Sequence, residues 1–144
     1  MPLILDHLKK AVVALNNTLA KSDDAEFMQK LDAVAQSAIK AGVIQHFKFT
    51  YELCWKLIRR WLKVNIDSTI VEGATRRKLY QLAAENKLID DVEQWMRHHN
   101  VRLKMSRAYD PDVAERVYVA AHEFAHDAQK LLEALEARNK EVRA

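Results

Sequence analysis

The chain has 144 residues and a formal charge of +3, with only two glycines, two prolines and one cysteine, so it has the length of one domain and the composition of helices rather than hairpins. About two-thirds of the unfolded surface can be buried at this size, so a core forms without disulfide or metal staples. Cys54, alone, excludes an internal disulfide and fits a reducing cytoplasm, and so mild a charge does not by itself argue for nucleic acid.

In chain order, Asp6, Lys9 and Lys10 interrupt the first apolar run, so no signal peptide is expected, and no run approaches the ~18 residues of a membrane span. Leu5, Leu8, Val12, Leu15 and Leu19 recur at steps of three and four, which predicts an amphipathic helix. In "SDDAE", Asp23 as N-cap with Glu26 in capping-box spacing predicts a restart. Phe27, Leu31, Val34, Ala38 and Ala41 make a second stripe. Near Gly42 the stripe changes phase, and Phe47, Tyr51, Cys54, Ile58 and Trp61 line a face rotated by roughly half a turn. A break near Gly42 and a long helix burying different faces at its two ends both account for this; the long helix is favoured. On either account Cys54 is a packing group rather than a nucleophile.

"NIDSTIVEGAT" reads as the main loop, and Thr75 caps a short helix running to about Glu85. Asp90 and Glu93 repeat the capping-box spacing before a helix carrying Val92, Trp95, Met96 and Leu103. The last helix opens with Asp110 as N-cap, Pro111 at its first position and Asp112 at the positive end. Its seam is Val113, Val117, Ala120, Phe124, Leu131 and Leu135. The expected fold is all-α, an up-and-down four-helix bundle with an additional short helix, forming a single domain over residues 1–144.

"HEFAH", His122 to His126, spells the H-E-x-x-H zinc signature. With Phe124 central to the buried seam, both histidines fall about 160° away, on the opposite face. A catalytic zinc needs a third protein ligand and shelter from bulk water. No histidine follows His126, the G-x-x-H positions downstream are Gln129 and Leu132, and Asp127 adds a charge. Two solvated histidines, or a pair at a dimer contact beside Val119, describe the stretch better, and no metal is expected.

From Gln94 to Tyr109 no acidic residue occurs, while Arg97, Arg102, Lys104 and Arg107 are basic and His98 and His99 are titratable. Arginine forks meet phosphate bidentately, and Ser106 and Tyr109 add hydroxyls in the same turn. A solvated basic face accounts for the charges alone; the hydroxyls beside them point to phosphate or nucleotide binding by Arg97, Arg102, Ser106 and Arg107.

"IQHFKFTYELCWKLIRRWL" (44–62), Trp95 and "RLKMSRAYDPDVAERVY" (102–118) resemble the nucleotidyltransferase substrate-binding family, HepT-like members of the HEPN superfamily. The resemblance covers nearly the whole chain; "F-x-F-T-Y-E-L-x-W-K" is its most specific part and "S-x-x-Y-D" the second. It implies a helical bundle, a homodimer, and a separately encoded small nucleotidyltransferase that would hold magnesium and ATP, leaving this chain no intrinsic cofactor. In many such pairs the helical protein is a ribonuclease toxin with an R-N-x-x-x-H-x-Y motif, silenced when its partner transfers AMP to the tyrosine. Here Arg102 and Tyr109 fall on the motif arginine and tyrosine, and Ser106 on the residue before its histidine. Leu103 replaces the asparagine, and Arg107 stands in the histidine's place.

Guanidinium stays protonated at working pH, so Arg107 can hold a phosphate but cannot take a proton from a 2′-hydroxyl. With general acid–base catalysis worth ~10²–10⁴-fold, ribonuclease activity should be weak or absent. The expected function is thus an accessory substrate-binding subunit with Tyr109 as the AMP-acceptor candidate. The alternative is a ribonuclease toxin using Arg102 with His98 or His99, one turn earlier, as the replacement imidazole. Arg116 and His122 also spell a loose R-x5-H, but at about 120° apart they do not converge. Phe49, on the polar side with Glu52 and Lys56, and Val119 are the candidate subunit contacts.

Overall fold

The computed structural model describes residues 2–143. Among them are α1 (Asp6–Asp23), α2 (Ala25–Gln29), α3 (Ala33–Asn65), α4 (Ser68–Gly73), α5 (Arg76–Glu85), α6 (Val92–Lys104), a 3-10 turn (Met105–Arg107) and α7 (Pro111–Arg143), with no strand. The long helices α1, α3, α6 and α7 alternate in direction and form the bundle. Asn139 Nδ2 donates to the Leu3 carbonyl at 2.8 Å, so α1 starts beside the far part of α7. Thr50 Oγ1 donates to the Ala11 carbonyl at 3.3 Å, and Thr18 lies opposite Gly42, so α1 also runs against α3.

The first predicted helix forms, with Leu8, Val12, Leu15 and Leu19 buried. Its restart is capped one residue later than the spacing implied: Asp24 accepts from the Phe27 N–H at 3.0 Å. Asp23 turns instead toward α7. The chain then breaks at Lys30–Asp32, not at Gly42. Asp32 accepts from the Ala35 N–H at 2.8 Å, and Gln36 Nε2 donates to the Met28 and Leu31 carbonyls at the end of α2. From Ala33 a single helix runs through Gly42, as favoured, but Val34, Ala38 and Ala41 face solvent and bury nothing in this chain. That part of the second stripe is an uncovered face, while Phe27 and Leu31, before the start of α3, are half-buried.

The loop beginning at Asn65 contains a further short helix, because Asp67 accepts from the Thr69 and Ile70 N–H groups and Val71 is buried beneath it. Thr75 caps α5 as its position implied, through the Lys78 N–H at 3.1 Å. The cap of α6 is Asp91 rather than Asp90; it accepts from the Gln94 N–H at 3.1 Å, and Asp90 is free to pair with Lys130. Asp110 caps α7 through the Asp112 N–H at 2.9 Å. The fold is an all-α bundle, with three short helices where one was anticipated, since a capping side chain that satisfies the first N–H groups suffices to start one.

The rings of Phe47 and Phe124 stack at 4.3 Å and 4°, joining α3 to α7. Tyr51, Trp95 and His98 surround Phe124 with centroids 5.1–6.1 Å away. This aromatic core fixes the azimuth of α6, and hence where Arg102 emerges.

Candidate functional site

Between the first half of α3 and the turn into α7 lies a groove of about 720 Å³. On α3 its wall is the row Gln36, Lys40, Ile44 and Lys48; opposite stand Arg102, Met105 and Ser106, with Glu115 from α7. Arg102 Nη2 pairs with Glu52 Oε1 at 2.6 Å, and Lys40 Nζ with Glu115 Oε2 at 3.2 Å. Lys48 has no ion-pair partner among the described residues, and the only hydrogen bond from the Ser106 hydroxyl is a long one, 3.5 Å to the Leu103 carbonyl. Arg102, Lys48 and the exposed Ser106 hydroxyl over a partly apolar floor suit an anion bearing a flat, less polar body.

Behind Arg102, α3, α5 and α6 meet in a polar network. Tyr51 Oη lies 2.5 Å from Tyr80 Oη and 3.3 Å from His99 Nδ1, and Arg76 Nη1 donates to it at 3.0 Å. The Arg76 guanidinium sits 3.7 Å from the centroid of the Trp55 ring, a cation–π stack. Burial pushes both phenols above their ordinary range, in Tyr51 against the opposing hydrogen bond from Tyr80 and charge of Arg76. His99 is held below its usual value by burial, then by the charges of Arg76 and Arg102, which favours its neutral form.

Of the residues singled out in sequence, only Arg102 and Ser106 line the groove. Arg97 is exposed and donates to Gln94 Oε1, which ties it to its own helix. Gln94 in turn donates to Glu123 on α7. Five residues along a helix is about 140°, so Arg97 and Arg102 do not converge. Arg107 is exposed on the 3-10 turn, outside the groove lining. Tyr109 is 86% exposed. His98 does not open to the groove: it is 3% exposed, packed edge-on to Trp95 and Phe124, with Nε2 2.6 Å from Asp127 Oδ2. The core claims that imidazole, leaving His99 as the one beside Arg102.

Lys40, Lys48 and Arg76 went unnoticed in the sequence, and Tyr51 and Glu52 were placed only as a core and a polar-side residue. A signal existed for the lysines, since Gln36, Lys40, Ile44 and Lys48 fall every four residues along one row of a helix. Phe49 and Val119 are 46% and 60% exposed. His122 and His126 face solvent on the outer side of α7; His122 Nε2 contacts Asp23 Oδ1 at 2.8 Å, and Glu123 accepts from Gln94. Among the described residues no three His, Cys, Asp or Glu side chains are grouped to hold a metal ion, and no helix is long and apolar enough to cross a membrane. Burial pushes the Cys54 thiol well up, consistent with a packing group.

Residues 3–137 match the family model described as nucleotidyltransferase substrate binding protein like. The chain is 31% identical over 136 residues, spanning 94% of this chain and 93% of the relative, to a Haemophilus influenzae protein named probable ribonuclease HepT. It superposes with a TM-score of 0.90 and 28% identity on a Haemophilus influenzae structure described as revealing the fold of a substrate-binding domain of a nucleotidyltransferase, covering 92% of this chain and 99% of that one. A Thermus thermophilus crystal structure shares the fold, with a TM-score of 0.68, 20% identity and coverage of 89% and 98%.

Proposed function

The chain belongs to the nucleotidyltransferase substrate-binding-protein-like family, and from that premise we propose that it is the accessory, substrate-binding subunit of a two-protein minimal nucleotidyltransferase in the cytoplasm. Its groove holds a phosphate or nucleotide through Arg102, Lys48 and Ser106, while the partner holds magnesium and ATP. The observation that carries this reading is the convergence of Arg102 with the unpaired Lys48 across a groove large enough for a nucleotide. Tyr109, open to solvent, is the acceptor of AMP from the partner. The uncovered face of α3, with Val34, Ala38, Ala41 and Phe49, supports a homodimer.

Purification of the tagged chain from its own cells should bring down a small nucleotidyltransferase. Incubation with that partner, ATP and magnesium should then add the mass of AMP to the wild type and not to Tyr109→Phe. Recovery of no such enzyme removes the accessory role; addition that survives Tyr109→Phe removes the acceptor assignment.

A second reading, a ribonuclease toxin silenced through Tyr109, is favoured by the likeness to the Haemophilus influenzae protein named probable ribonuclease HepT and by the His99 imidazole three residues before Arg102. Cleavage of single-stranded RNA by the purified chain, lost in His99→Ala, would establish it in place of the first.

A further inference from the structure

We propose that His99 is a hydrogen-bond donor to phosphate and not a base: its Nε2–H and the Arg102 guanidinium form a two-point clamp for the phosphate of a nucleotide. This rests on the reading that the groove at Arg102 takes a phosphate, and it makes that reading specific.

The protons of the network behind Arg102 have few places to go. Tyr80 is fully buried, and the hydroxyl of Tyr51 is the only acceptor within its reach among the described residues. A buried O–H left without an acceptor forfeits its hydration with nothing in return, so Tyr80 donates to Tyr51. Arg76 carries only donors, and it too donates to the Tyr51 oxygen. Both lone pairs of Tyr51 are then taken, and its own proton must go elsewhere. His99 Nδ1, at 3.3 Å, is the acceptor that remains. An imidazole accepting at Nδ1 and uncharged carries its proton on Nε2. The burial and the flanking Arg76 and Arg102 charges favour that neutral form.

Nε2–H has no partner among the described residues, and His99 is half-exposed. Arg102 follows three residues later, a neighbour on the surface of α6. Arg102 lines the groove and His99 does not, so the two would share one anion at the edge of the groove where Arg102 stands. The same geometry withdraws His99 from proton abstraction, because the lone pair that a base needs faces Tyr51 and not the groove. Tyr51, Tyr80 and Arg76 are positioning residues; they set which face of the imidazole is a donor.

Two measurements on the full chain test this. Long-range ¹⁵N–¹H correlation of the imidazoles at neutral pH, with the His99 signals identified by their loss in His99→Gln, should show a proton on Nε2 and a bare Nδ1, shifting toward a tautomer mixture in Tyr51→Phe. A proton on Nδ1 in the wild type overturns the proposal. Titration with AMP should find His99→Ala roughly tenfold weaker and His99→Gln, whose amide keeps a donor near Nε2, close to wild type. Wild-type affinity in His99→Ala overturns the clamp and leaves the groove standing. Absence of AMP binding in the wild type overturns both together.

Discussion

Arg102 is already occupied in the free chain, which yields a prediction of unusual sign. Its guanidinium is 2.6 Å from the Glu52 carboxylate, with side-chain exposures of 27% and 42%. A phosphate entering the groove has to share or displace that carboxylate. A half-exposed pair of this kind is worth about 0.2–1 kcal/mol. Glu52→Gln, which keeps the shape and removes the charge, should therefore strengthen AMP binding by up to about fivefold, 1.4 kcal/mol being tenfold. Arg102→Ala should lose a charged hydrogen bond of about 1.5–3 kcal/mol, partly offset because no ion pair has to be disturbed, leaving about 1–2 kcal/mol or a weakening of roughly 5–30-fold. In the double variant the benefit of Glu52→Gln should nearly vanish, since it acts through Arg102. Calorimetric titration at low salt reads all four proteins, and 0.15 M salt should shrink the Glu52 effect as the Debye length falls to about 8 Å. AMP binding weakened by Glu52→Gln, or strengthened equally with Arg102 absent, would refute the reasoning.

Arg107→His puts an imidazole back at the motif position, and cleavage of a fluorescent single-stranded RNA should rise by about 10²–10⁴-fold over wild type; no rise would remove the reading that Arg107 withholds ribonuclease activity. Phe124→Ala removes the ring stacked on Phe47 and should cost about 3–5 kcal/mol. The thermal midpoint followed by circular dichroism should then fall by roughly 8–16 °C, and a fall of under about 3 °C would contradict the aromatic core. His122 is raised above its ordinary value by its hydrogen bond to Asp23, so its contribution is fully present below about pH 6.5 and is lost as pH rises through the higher folded value. For so exposed a pair that is at most about 1 kcal/mol, read as a lower urea midpoint at pH 8.5 than at pH 6; the same difference in His122→Gln would exclude this source.

The resemblance carried by residues 44–62 and 102–118 led to the family, and the two stretches meet in the fold, where Glu52 pairs with Arg102. Arg102 and Ser106 were legible as neighbours since they lie about one turn apart, and both line the groove. Arg97 was not separable from them by charge alone, although helical rotation already placed it on another side. Lys48 and Glu52 reach the site from α3, some fifty residues earlier than Arg102, and nothing in a local window joins them. The two neighbouring histidines show the same limit: identical side chains at 98 and 99 went to opposite fates, one into the core against Asp127, the other to Tyr51.

Periodicity, caps and composition by themselves determined that this chain is helical, where α5 and α7 start and which stripes of α1 and α7 are buried, because those depend on residues within a turn or two of one another. Only the tertiary structure decided which polar groups meet: that Glu52 engages Arg102, that Tyr51 aims the His99 imidazole, and that the Val34–Ala38–Ala41 face of α3 is left uncovered. The reason is geometric. Rotation along one helix is set by its own backbone, whereas the azimuth at which two helices face each other is set by the packing of Phe47, Phe124 and Trp95 between them.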